Sequence, residues 1–250
     1  MFHISALTIV TSFSALVVAI AFWPSKKAKP GLGESAIQQL EAGFALAGQW
    51  LGPNERFAIK LPTISHFPVQ KGSTIKETIQ KIVDFVLAEL NLNIELQIRV
   101  GGNTSFESQS LPQVTLDQRQ EIPTLHVSQG LLDELELLIA QLVPVLCHLI
   151  IQDFCPKKDL PYLADICAIH MGYGLFLCNA TFIQHNVNRP VIGGWHMRSY
   201  GNLNCEETAH AFALWLQSKG LEGKPLFKYL NPNAKADLRN AIKHLASVST

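Results

Sequence analysis

The sequence predicts an α+β fold dominated by helices, with a small sheet, preceded by one N-terminal transmembrane helix. Three observations lead there. Residues Ile4 to Trp23 carry no charged side chain. Beyond residue 34, several segments repeat apolar residues at helical spacing, and the segments 91–100 and 122–127 read as strands instead.

The N-terminal run comes first. At helical rise its length is roughly 30 Å, the thickness of a bilayer's hydrocarbon core. Trp23 is placed as an interfacial anchor and Pro24 ends the helix. A cleaved signal peptide is the competing reading, with Ala19-Ile20-Ala21 as its cleavage site. No Lys or Arg precedes the run, whereas Lys26, Lys27 and Lys29 follow it. That asymmetry favours an uncleaved anchor over residues 1–23, with the soluble part on the cytoplasmic side of the membrane.

Residues 24–33, rich in Pro, Gly and Lys, have a linker's composition. Residues 34–72 are expected to hold an amphipathic helix over 34–51, with Ile37, Leu40, Phe44 and Leu51 on one stripe, and a connecting segment. Whether that helix packs on the domain or lies on the membrane is open. Residues 73–250 form the main soluble domain.

Within it, the spacing predicts a helix over 73–90, with Thr74 and Glu77 as a capping box and Ile75, Ile79, Ile82, Val83, Val86 and Leu90 as its stripe. Asn91 to Val100 alternates, with Ile94, Leu96, Ile98 and Val100 on one face of a half-buried strand. Residues 101–120 are polar and read as a loop or weak hairpin. Ile122 to Val127 is a second strand, and Ser128 begins a turn. Residues 133–154 are apolar almost all round, the pattern of a central buried helix. Gln141, His148, Gln152 and Asp153 along it argue against a second membrane span. Further helices are expected over 160–182, over 204–219 with a box from Asn204 and Glu207, and over 232–246 with Leu238, Ile242 and Leu245 inward.

The formal net charge is zero and 16% of residues are charged, with no long basic run. That removes the electrostatic argument for a nucleic-acid partner. The cysteines Cys147, Cys155, Cys167, Cys178 and Cys205 are odd in number and form no CxxC pair. They read as small buried hydrophobes in a reducing compartment.

The chemistry-bearing stretch runs from Thr124-Leu-His-Val-Ser-Gln-Gly-Leu-Leu through Cys147-His148-Leu149-Ile150-Ile151-Gln152. It continues with Ala164-Asp165, Gly172-Tyr173-Gly174 and Arg198-Ser-Tyr-Gly-Asn-Leu. In order and spacing, residues 73–245 resemble the zincin (HExxH-type) metallopeptidases. The resemblance implies a strand leading into a central helix that carries two zinc-binding histidines one turn apart. A glutamate beside the first histidine activates water, and a third ligand comes from the next helix.

The active-site letters depart from that pattern. His148 stands at the first ligand position and Asp165 at the third. Leu149 replaces the glutamate and Gln152 the second histidine. Leucine cannot move a proton, and an amide oxygen is a poor zinc ligand beside an imidazole. The resemblance therefore implies a vestigial metal site at His148, Gln152 and Asp165, with no catalytic residues. No resident cofactor is expected, and zinc is the ion a surviving site would take. Without metal, the same residues are expected to form a buried His–Gln–Asp hydrogen-bond network.

Other candidates are weaker. Cys147 and His148 diverge by about 100° on a helix, which disfavours a thiolate–imidazole pair. His170 lies off the face of Asp165, and His185, His196 and His210 are expected to be solvated or capping. Gly193-Gly194-Trp195 reads as a flexible loop with an exposed aromatic, and Asn103-Thr-Ser as a formal glycosylation sequon.

The functional expectation is a membrane-anchored, zincin-like pseudoenzyme that binds a protein or peptide partner in the former cleft. Two alternatives stand beside it. One is an active metal-dependent hydrolase with an unorthodox site drawn from Glu206, Glu207 or Asp165 with His148. The other is a structural membrane protein that assembles with partners through the helix at 34–51.

Overall fold

The computed structural model describes residues 32–63, 66–68, 73–101, 113–155, 160–181, 183–188, 193–198 and 200–248, with the backbone alone at Asn54 and in the two strands from 183 to 198. The N-terminal hydrophobic run, most of the linker, Asn103-Thr-Ser and Ser199 lie outside these residues. So do the side chains of His185, Trp195, His196 and Arg198.

Helix α1 spans Glu34–Leu51 and buries Leu40, Gly43, Ala47 and Leu51, four residues at helical spacing. Helix α2, Ile75–Glu89, starts at the expected capping box: Thr74 accepts the Glu77 N–H while Glu77 accepts the Thr74 N–H. Ile79, Ile82, Val83, Val86 and Leu90 are buried as expected, whereas Ile75 in the first turn is 52% exposed.

A sheet of order β1-β3-β2 follows, from β1 (Gln97–Val100), β2 (Val114–Asp117) and β3 (Thr124–Val127). β3 is central, parallel to β1 and antiparallel to β2. The expected strand over 91–100 is thus shorter. Asn91 takes a left-handed φ of 55° and Leu92 N–H turns back to Leu87 O, so the chain rounds the end of α2 before extending. β2 lies in the stretch expected as loop or weak hairpin. Its four residues are too few for alternation to stand out against polar neighbours.

Helix α3, Leu135–Phe154, packs against β2, against α2, and against α4 (Pro161–Ala168) and α5 (Gly174–Ala180). The expected single helix over 160–182 is therefore interrupted: α4 and α5 are joined by a wide helical turn at Ile169–Tyr173. Gly172 there has φ 91°, and the carbonyl oxygen of Ala58 fills the place a Cβ would need. Lys60 N–H then donates to Gly172 O at 2.9 Å. Only glycine lets the 57–60 backbone cross the turn this closely.

A hairpin of β4 (Ile183–Asn188) and β5 (Gly193–Arg198) comes next. Gly193-Gly194-Trp195, read from sequence as a loop, begins β5. Helix α6, Cys205–Ser218, opens with the expected Asn204/Glu207 box, and α7, Pro232–Val248, packs along it. α1 sits against α4 and α6, so the helix whose placement the sequence left open packs on the domain.

Two segments, Leu135–Phe154 and Pro161–Ala180, are long and apolar enough to cross a membrane. Of their apolar windows 67% and 94% are buried within the fold, as in core helices.

Candidate functional site

One face of α3 is not fully enclosed. Gln141, Val145, His148, Leu149 and Gln152 recur three and four residues apart and are half-buried, while most of the remaining helix is buried. His148 and Gln152 thus share a face one turn apart, as their spacing requires. Above this face, Gln141 Oε1 accepts the backbone N–H of Val114 in β2 at 3.1 Å.

Asp165 is buried in α4, at 2% exposure, and turned elsewhere. Its Oδ2 accepts the backbone N–H groups of Asn202 at 2.5 Å and Leu203 at 2.9 Å, and Oδ1 accepts the Asn202 side-chain amide at 3.3 Å. Gly201, at φ 100°, lies against the same carboxylate; a Cβ there would sit 3.2 Å from Oδ2. Glu207 accepts the next backbone N–H, that of Asn204, at 2.8 Å. Consecutive amides at the entry to α6 are therefore held by two carboxylates, where the helix's positive end favours them. Burial still pushes the Asp165 carboxyl above its ordinary value, against the lowering effect of those hydrogen bonds.

The expected His148–Gln152–Asp165 network is not formed. Asp165 bonds to the 202–203 turn, and neither His148 nor Gln152 hydrogen-bonds a described residue. Among the described residues, no three His, Cys, Asp or Glu side chains gather as a metal site. Among the described residues, His148 is the one imidazole on this face of α3, with an amide at 152 and Asp165 engaged by the 202–203 turn.

The acids invoked for an unorthodox hydrolase are also dispersed. Glu207 is spent in the α6 cap, and exposed Glu206 lies near Asp237 of α7, whose carboxyl burial and that neighbour raise. A cavity of about 850 Å³ lies away from His148, between the N-terminal ends of α3 and α7, lined by Asp133, Glu136, Asn179 and Asn231 among others.

Sequence reasoning missed the main polar cluster. Lys60 is buried and its Nζ lies 2.6 Å from Glu89 Oε1, while Tyr173 O–H donates to Glu89 Oε2 at 2.9 Å. Burial, with Glu89 beside it, pushes the Tyr173 phenol well up. Cys147 is fully buried, its Sγ 3.7 Å from Met171 Sδ, and burial raises its thiol far above the usual range. Full burial keeps that sulfur from solvent and favours its neutral thiol form. The signal for this cluster was Lys60 itself, one charge in the otherwise apolar run 57–61.

His170, set aside on spacing, is buried between the rings of Phe44 and Phe57. Its Nε2 lies 2.9 Å from Gly52 O, which can only accept, so that nitrogen carries the proton. His210, expected to be solvated or capping, is instead 2% exposed, with its ring 5.9 Å from that of His244 on α7.

No family model, curated protein or solved structure matches this chain. None of these comparisons supports a zincin-like fold assignment, and the resemblance stays an expectation drawn from the order and spacing of sequence segments.

Proposed function

We propose that the chain is a membrane-anchored binding module: a zincin-like scaffold without peptidase chemistry that takes a protein or peptide on the half-open face of α3. The observation that carries this is the engagement of Asp165. The residue at the third-ligand position holds the entry to α6, while Leu149 stands where a proton-moving group would be needed. The half-open face of α3 lies beside β2, an edge of the sheet among the described residues, and an extended segment could add to that edge with side chains against Val145 and His148. The anchor is the uncharged run 1–23, with the domain on the cytoplasmic side as the lysines after it favour.

The test uses the full chain in nanodiscs against a library of extended peptides. Saturable binding that His148→Trp weakens, with no cleavage in the presence or absence of added zinc, supports the reading. Chelator-sensitive cleavage lost in His148→Ala would overturn it in favour of a hydrolase.

A further inference from the structure

A second concave site lies far along the chain from the α3 face. α6, α7 and the 3₁₀ segment Lys224–Tyr229 enclose a groove of about 630 Å³, within the range of small-molecule sites. Its apolar lining includes Ala213, Leu216, Leu221, Phe227, Ile242 and Leu245. Gly223 closes one side, because a Cβ there would collide with Ile242 Cδ1, so the crossing segment seats directly on α7. Leu221 stays 45% exposed, an uncovered leucine in the lining.

The charges around this lining are unbalanced. Lys224, Arg239 and Lys243 line it against the single acid Glu222, and none of the four is in an ion pair with a described residue. Arg239 and Lys243 are one helical turn apart on α7, on the same side. The Arg239 guanidinium stacks over the Phe227 ring, 5.3 Å from its centroid. That contact holds a forked donor beside the apolar lining, the geometry a carboxylate accepts bidentately.

We propose that the α6–α7 groove binds a monomeric anionic amphiphile, a long-chain carboxylate with its tail on Leu216, Phe227 and Ile242 and its head at Arg239 and Lys243. Charge complementarity selects this occupant. An uncharged tail would leave the cations unused, and a small anion would leave the apolar lining open to water.

The probe is a diazirine-bearing long-chain fatty acid, photolysed with the full chain in zwitterionic nanodiscs and mapped by peptide mass spectrometry. Adducts are expected within residues 213–246, competed by oleate but not by oleyl alcohol. Arg239→Glu with Lys243→Glu should cut labelling roughly tenfold. Ala246→Trp, at an exposed position on the groove, should block it while leaving circular dichroism unchanged. Equal competition by the alcohol, adducts elsewhere, or full labelling of Ala246→Trp would overturn the proposal. Cross-links joining the α7 helices of two molecules would overturn it too, by making a second copy the occupant.

Discussion

Lys60 and Glu89 form a short ion pair, 2.6 Å apart, with side chains only 9% and 19% exposed. It joins the segment after α1 to the last turn of α2. Tyr173 adds a hydrogen bond from the wide turn between α4 and α5. Three separated parts of the chain are thereby tied at one carboxylate.

Removing one partner should therefore cost far more than removing both. Glu89→Ala strands the Lys60 ammonium and is expected to lose about 3–5 kcal/mol, whereas Lys60→Met with Glu89→Leu, in a Tyr173→Phe background that leaves no phenol without its acceptor, should recover most of that. A double-mutant cycle by urea unfolding checks it. Simple additivity of the single costs would refute the pairing as described.

Asp165→Ala deprives two backbone donors of their acceptor, that of Leu203 in a buried position. The expected loss is about 2–3 kcal/mol. Amide hydrogen exchange should accelerate first around residues 202–208, where α6 begins. Faster exchange confined to the His148 face would point instead to a role there.

His170 and His210 have lowered proton affinity, chiefly from burial, with the neighbouring His244 also lowering His210. Their folded values lie below the usual 6.5, so the unfolded chain binds more protons in that window. The stability they contribute is complete above the unfolded value and is lost as pH falls through the folded one. Unfolding midpoints are expected to drop between about pH 8 and about pH 5. His210→Leu should flatten the slope, and an unchanged slope in that variant would remove His210 from the account.

Gly172 and Gly220 both have positive φ, 91° and 64°, but only Gly172 faces an atom where a Cβ would go. Gly220→Ala is expected to cost about 1–2 kcal/mol from backbone strain alone. Gly172→Ala adds the collision with Ala58 O and should exceed that by about 2 kcal/mol or more. Thermal unfolding of both variants separates strain from collision, and equal costs would mean the 57–60 segment moves aside freely.

What the sequence determined by itself is what local physics controls. The capping boxes at Thr74/Glu77 and Asn204/Glu207, the stripe of α2 and the buried character of α3 all follow from residues within a few positions of one another, whereas of the α7 stripe Leu238 is buried and Ile242 and Leu245 are only partly so. The shared face of His148 and Gln152 was legible for the same reason. Only the tertiary structure decided which way Asp165 points, because its partners, Asn202 and Leu203, lie 37 and 38 residues on. Likewise β2 became a strand by pairing with β3, the helix at 160–182 was interrupted where the 57–60 backbone crosses it, and Lys60 was buried because Glu89 and Tyr173 meet it there. In each case the deciding partner is distant in sequence, and a buried polar group takes whichever partner the packing brings within hydrogen-bond reach.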